Sequence, residues 1–252
     1  MKTVKVRDIV FNEGAPKICV PLVGKTEEQI LSEVQYLNSV SFDLAEFRVD
    51  FYEYVEDFNK VKEILKKIRQ SYDKPLLFTF RTKKEGGEHE ISEEKYFELN
   101  HAAIESGLID LIDVELFSHE KQIIKLISFA KQNNVKVIMS NHDFDKTPPI
   151  EELVGRLVKM QQYGADITKI AVMPNSEEDV LTLLSATLQM KKEKADRPCI
   201  TMSMGPFGVI SRLSGELFGS CMTFAAAKQV SAPGQISVKD ARNVLNLLHT
   251  SK

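Results

Sequence analysis

Eight short apolar, β-branched segments recur along this chain, each set apart from the next by a stretch with helical periodicity. That alternation restricts the fold more than any other feature. The segments begin near Lys17 (KICVPLV), Phe42 (FDLAEFRVD), Pro75 (PLLFTFR), Leu111 (LIDVEL), Val135 (VKVIMSNHD), Ile167 (ITKIAVM), Pro198 (PCITMSM) and Met222 (MTFAAA). Their starts lie between 24 residues (Leu111 to Val135) and 36 residues (Pro75 to Leu111) apart, room for one crossover helix each. Both faces of these segments read apolar, as parallel strands covered on two sides must.

The intervening stretches carry helix signals. Thr26 and Gln29 form a capping-box pattern ahead of Ile30, Leu31, Val34 and Leu37. Ser92 opens a helix expected to run to Gly107, and Pro148 and Pro149 suit the first turn of one that ends at Gly164. Ser176 and Ser237 are expected to cap two more. No linker or composition shift divides the 252 residues. Eight β–α units therefore predict one catalytic domain over 1–252, a (β/α)8 TIM barrel. Its leading segment Thr3–Asn12 alternates in polarity and is expected to form a β-hairpin that closes the barrel bottom. An open doubly wound sheet is the alternative, disfavoured because no glycine-rich dinucleotide turn follows the first strand.

Composition removes several classes of function. Lys and Arg total 33 against 36 Asp and Glu, a net charge of −3, which gives no footprint for nucleic acid or an anionic membrane. The longest uncharged run, Pro198 to Ser211, is too short and polar to span a bilayer, and Asp8 and Glu13 interrupt the N-terminus where a signal peptide would be apolar. The three cysteines, Cys19, Cys199 and Cys221, are far apart, which reads as buried thiols in a reducing, cytoplasmic setting.

In a barrel, chemistry sits at the carboxyl ends of the strands. The polar residues of this chain gather there: Glu46-Phe47-Arg48-Val49-Asp50, Arg81 and the loop to Glu85-Gly86-Gly87, Asp113 and Glu115, Ser140-Asn141-His142-Asp143, Ser203-Met204-Gly205 with Arg212, and Ser231-Ala232-Pro233-Gly234-Gln235. Lys169 interrupts an apolar strand from within. Burial disfavours an ammonium, so such a lysine is either a nucleophile or the partner of a carboxylate such as Glu115. Among the five histidines only His142 lies at a strand's carboxyl end, beside the Lys169 strand; it is either structural or the base that removes a proton α to a carbonyl. Arg48, Arg81 and Arg212 either pair with Glu46, Asp50 and Glu85 or bind an anionic small molecule. The 229–236 stretch is either a plain Pro-Gly turn or a lid over a ligand.

Taken in order, these segments resemble type I 3-dehydroquinate dehydratase of the shikimate pathway, an enzyme of aromatic amino acid biosynthesis. The resemblance rests on Glu46–Asp50, Phe78–Arg81 with Glu85-Gly86-Gly87, Ser140–Phe144, Lys169–Pro174, Ser211-Arg212 and Ser231–Gln235, and it covers essentially the whole chain. It implies a lyase that converts 3-dehydroquinate to 3-dehydroshikimate without metal or dissociable cofactor, commonly as a homodimer. It further implies that Lys169 forms the imine, that His142 is the general acid and base, and that Glu85 orients His142. Arg212 would hold the substrate carboxylate, while Glu46, Phe47, Arg48, Arg81, Ser231 and Gln235 would bind the rest of the substrate and close the site. The chain departs from the pattern at Pro21, where many relatives carry a substrate-binding serine, and in the Met204–Gly208 loop, which has no lysine. A phosphosugar aldolase-like barrel and a silent ligand-binding barrel are the competing readings.

Overall fold

The computed structural model describes residues 2–227 and 231–251. Strands β1 (Val4–Val6) and β2 (Ile9–Phe11) form the expected antiparallel hairpin. Eight parallel strands follow: β3 (Lys17–Leu22), β4 (Leu44–Arg48), β5 (Leu76–Thr79), β6 (Leu111–Glu115), β7 (Lys136–Asp143), β8 (Ile167–Val172), β9 (Cys199–Ser203) and β10 (Met222–Phe224). Neighbours in the sheet follow chain order from β3 to β9, and β10 pairs back with β3. A parallel bridge between Cys199 and Ser220, with Cys221 N donating to the Cys199 carbonyl at 2.8 Å, joins the last seam. This closed order is the barrel and excludes the open doubly wound alternative.

Helices α1 (Glu27–Leu37), α2 (Phe58–Ser71), α3 (Glu93–Glu105), α4 (Glu120–Gln132), α5 (Ile150–Gln162) and α6 (Glu177–Gln189) cover the outside, followed by the short α7 (Val209–Leu213) and α8 (Gly215–Phe218), and by α9 (Val238–Thr250). The start signals act as expected at α1, where Thr26 and Gln29 complete a reciprocal capping box, and at α3 and α9, where Ser92 and Ser237 accept from Lys95 N and Asp240 N. Each such cap stabilises its helix by about 1 kcal/mol. Ser176 differs: it holds the N-cap position of α6, yet its side chain makes no capping bond. The acidic first turn Glu177, Glu178 and Asp179 complements the helix dipole there instead. Pro149 sits one residue before α5 rather than inside its first turn. No helix among the described residues is long and apolar enough to cross a membrane.

Two apolar layers hold the architecture. Outward strand residues such as Ala45, Phe47, Phe78, Ile112, Val114, Val137, Met139, Ile170 and Val172 pack under the helices. Inward residues from the amino ends of the strands, including Cys19, Leu44, Leu77, Leu111, Ile138, Ile167, Ile200 and Met222, form a separate cluster with Val6, Ile9 and Phe11 of the hairpin. Phe11 is fully buried, so the hairpin is a packed floor.

Candidate active site

Side chains alternate across a strand, so every second residue above the floor also points inward. Following that step upward, Leu44 leads to Glu46 and Arg48, Leu77 to Thr79 and Arg81, and Leu111 to Asp113 and Glu115. Ile138 leads to Ser140 and His142, and Ile167 to Lys169. Within two residues the interior thus changes from apolar to charged. A cavity of about 470 Å³, its open mouth included, is lined by Glu46, Arg48, Arg81, Glu85, His142, Lys169 and Arg212, with Met202, Met204, Phe224, Ser231 and Gln235 among its other walls. Every residue expected at the site lines it except Phe47. Its side chain is fully buried between sheet and helices, edge-on to Phe78 at 6.1 Å, so its expected contact with substrate is corrected. The period of two that turns Glu46 and Arg48 inward turns Phe47 outward.

Lys169 is 3% exposed, and its Nζ lies 3.6 Å from Asp113 Oδ2 and 4.5 Å from the Phe224 ring centroid. Its carboxylate neighbour is therefore Asp113 and not Glu115. Glu115 instead accepts from Arg81 Nη1 at 2.8 Å and from Thr82 N and Oγ1 at 2.9 and 2.7 Å. Asp113 Oδ1 accepts from Ser140 Oγ at 2.6 Å and pairs with Arg81 Nη2 at 2.8 Å. Burial alone would raise the Asp113 carboxyl, but Arg81 and Lys169 hold it below the usual carboxylate range.

His142 stands two residues above Ser140, which pairs with Lys169 across the β7–β8 register. Base and amine therefore face the same cavity from adjacent strands. Glu85 Oε2 accepts the His142 backbone N–H at 2.9 Å and lies 2.9 Å from Nδ1. This double contact fixes the ring and leaves Nε2 for a substrate. Burial, then the positive charges of Arg81, Lys169 and Arg48, push His142 well below its ordinary value, so the ring is neutral at neutral pH. Burial and next the Glu115 carboxylate push Glu85 up to about 8, against the opposing pull of Arg81 and the Asn141 amide.

A support for Glu85 lies outside what the sequence suggested. Asn141 Nδ2 donates to Glu85 Oε1 at 3.1 Å, while Asn141 Oδ1 accepts from Arg156 Nη1 at 2.6 Å. Arginine can only donate, so Arg156 fixes which end of the amide faces Glu85. Gly86 next to Glu85 has φ +84, and a Cβ there would come within 2.3 Å of the Phe144 ring. Only glycine lets this loop pack against Phe144.

The three arginines divide. Arg48 forms a two-pronged pair with Asp50, both contacts 2.8 Å, and Arg81 is enclosed by Asp113, Glu115 and Glu85. Arg212 has no carboxylate partner among the described residues. Its Nη2 donates to the Pro233 carbonyl at 2.9 Å, its Nη1 lies 3.5 Å from Met202 Sδ, and its Nε is buried without a partner. Burial lowers it to about 10. A buried guanidinium left short of an anion is what a ligand carboxylate would complete.

Part of the 229–236 stretch, Gln229 and Val230, lies outside the described residues. In the remainder, Gln235 Oε1 accepts from Ser231 N at 3.0 Å and Gln235 Nε2 donates to Ser231 Oγ at 2.9 Å. The Pro233 carbonyl also accepts from Gly205 N at 3.2 Å, linking this segment to the β9 loop. Among the described residues no group of three or more His, Cys, Asp or Glu side chains converges as metal ligands would.

Comparison with known proteins matches this arrangement to one family. A family model described as Type I 3-dehydroquinase matches residues 18–252. A 3-dehydroquinate dehydratase of Clostridium novyi is 54% identical over 250 residues, 99% of each chain. One of Listeria innocua is 57% identical over the same span and coverage. A crystal structure of Type I 3-dehydroquinate dehydratase from Clostridium difficile with covalently modified comenic acid is 55% identical, with a TM-score of 0.97 over 100% of this chain and 99% of that one.

Proposed function

The chain belongs to the type I 3-dehydroquinase family and is a 3-dehydroquinate dehydratase, a hydro-lyase of the shikimate pathway; we propose that it removes water from 3-dehydroquinate to give 3-dehydroshikimate through an imine on Lys169. The observation that carries this reading is the meeting of Lys169, His142 and a carboxylate-free Arg212 in one cavity.

Arg212 receives the substrate carboxylate, which sets the ketone toward Lys169. The neutral amine attacks the C3 carbonyl carbon; the carbonyl electrons move to oxygen, which takes up two protons and leaves as water. The product is a protonated imine, a stronger electron sink than the ketone. His142 Nε2 then takes the C2 proton, and the C–H electrons flow into the C2–C3 bond as the iminium becomes an enamine. Glu85 stabilises the imidazolium that results. The enamine returns its electrons, the C1–O bond breaks, and His142 gives its proton to the departing hydroxyl as water. A second water hydrolyses the imine and frees Lys169. The electron sink is a side chain, so the sequence of steps needs no external cofactor.

Arg48 is held against Asp50 and Arg81 against its three carboxylates. These pre-set cations present fixed donors to hydroxyl groups, and Glu46 at the same wall accepts from them. Ser231 and Gln235, bonded to one another, cover the ligand from the mouth. In this reading residues 1–252 are one catalytic domain. The enzyme works as a homodimer in the cytoplasm, a setting that suits its three buried free thiols.

The test is intact mass after incubation with 3-dehydroquinate and borohydride, followed by peptide mapping. A reduced adduct on Lys169 is expected. A folded protein that yields no adduct, or one mapped elsewhere, would overturn the assignment.

A further inference from the structure

Lys169 Nζ sits between two features that suit a cation and not a neutral amine. On one side is Asp113 Oδ2 at 3.6 Å, fully buried and with no hydrogen-bond partner among the described residues. On the other is the face of Phe224, 4.5 Å from nitrogen to centroid. Asp113 cannot swing away to seek another partner, because Ser140 and Arg81 hold its Oδ1. We propose that Asp113 and Phe224 form a cradle for the positively charged imine nitrogen, with Asp113 Oδ2 as its counter-ion through the whole life of the covalent intermediate. The inference rests on Lys169 being the imine-forming residue.

The chemistry makes the need specific. A lysine amine must lose its charge to attack, but once condensed it must carry a charge to draw electrons from C2. An imine nitrogen is less basic than the amine it came from, so a buried site would tend to strip its proton and switch off the electron sink. A fixed carboxylate in a dry site opposes that loss, and the negative face of an aromatic ring adds to it. The low proton affinity of Asp113 keeps it anionic while this happens. The other ionisable groups on the cavity wall are Glu46, Arg48, Arg81, Glu85, His142 and Arg212. Glu46 accepts from Thr79 at 2.8 Å, and Glu85 and Glu115 are engaged by His142, Arg81 and Thr82. Among the described residues Asp113 Oδ2 is the carboxylate oxygen that pairs with the nitrogen, at 3.6 Å.

Asp113→Asn tests this with shape nearly unchanged, and Arg81 retains Glu115 and Glu85 as partners. Two readouts are taken from folded variant and parent: the yield of borohydride-trapped adduct, and kcat against pH. The expected result is a fall of about 10-fold or more in kcat, with the alkaline limb moved by at least about one unit to lower pH, because the imine loses its proton more readily. Lower amplitude with an unmoved limb would assign Asp113 a structural role and overturn the proposal, as would kcat and trapping within about two-fold of the parent. If Asp113→Asn fails to fold, Phe224→Leu is read the same way, with a limb displaced in the same direction expected and an unmoved limb overturning the cradle. A parent that itself forms no adduct with 3-dehydroquinate would instead remove the proposed function.

Discussion

The lower and upper halves of the barrel interior are built by the same strands and differ completely in chemistry. At the floor, Leu44, Leu77, Leu111, Ile138 and Ile167 pack on the hairpin with no polar group to satisfy. Two residues further along each strand stand Glu46, Thr79, Asp113, Ser140 and Lys169, all buried. Buried charges weaken a fold unless each is paired, and the upper half answers that by pairing most of them: Arg81 with three carboxylates and Arg48 with Asp50. The lower half supplies the stability that allows the upper half to be polar. A site of this kind can be no more rigid than the packed layer beneath it.

Substitutions separate the halves, and the largest effect belongs to the top. Lys169→Ala is expected to lower kcat by about 10⁴-fold or more, with no reduced adduct by mass, while circular dichroism stays that of the parent. His142→Ala should lower kcat by about 10²- to 10⁴-fold and still form the imine, so adduct accumulates with slow C2 proton exchange; rapid exchange would remove the base role. At the floor the effect changes kind. Leu111→Ala should cost about 2–5 kcal/mol in urea unfolding with kcat nearly constant, and a large kcat change at unchanged stability would break the division.

Glu85→Gln links the halves through pH. Glu85 is raised to about 8 in the folded protein, above its unfolded value. The folded state therefore holds the extra proton, and this contribution to stability is full at low pH and lost as pH rises to about 8. Tm of the parent should fall over that window more than Tm of Glu85→Gln, and the variant should also lose activity because the imidazolium formed in the reaction has no carboxylate beside it. Equal pH slopes would show that Glu85 is not strained by its site. Phe47→Leu is the smallest case: it sits on the outer layer, so about 1 kcal/mol of stability and an unchanged KM are expected, checked by unfolding and steady-state kinetics.

Periodicity made the barrel readable, because an apolar run every few tens of residues has few ways to bury both faces. It also drew attention to Lys169, a charged residue inside an apolar strand, and to His142 at a strand end, and both line the cavity. Phe47 shows where motif reading misleads: adjacency in a run of site residues says nothing about which face a side chain takes, and the step of two does. Contacts across the barrel were not readable at all. Asp113 beside Lys169 joins β6 to β8 across the intervening β7, and barrel stagger decides which carboxylate reaches which cation, while Arg156 behind Asn141 depends on how α5 packs back on β7. Nothing local distinguishes Asp113 from Glu115 as the lysine's neighbour.

The hairpin floor has one more consequence. With Phe11, Val6 and Ile9 filling the base, the cavity opens at the carboxyl ends of the strands, where Ser231 and Gln235 stand on its wall. In the proposed cycle water is made when the imine forms, made again when the hydroxyl leaves, and consumed once at hydrolysis. Substrate, product and those water molecules share that mouth, so traffic through it and the chemistry beneath it are coupled.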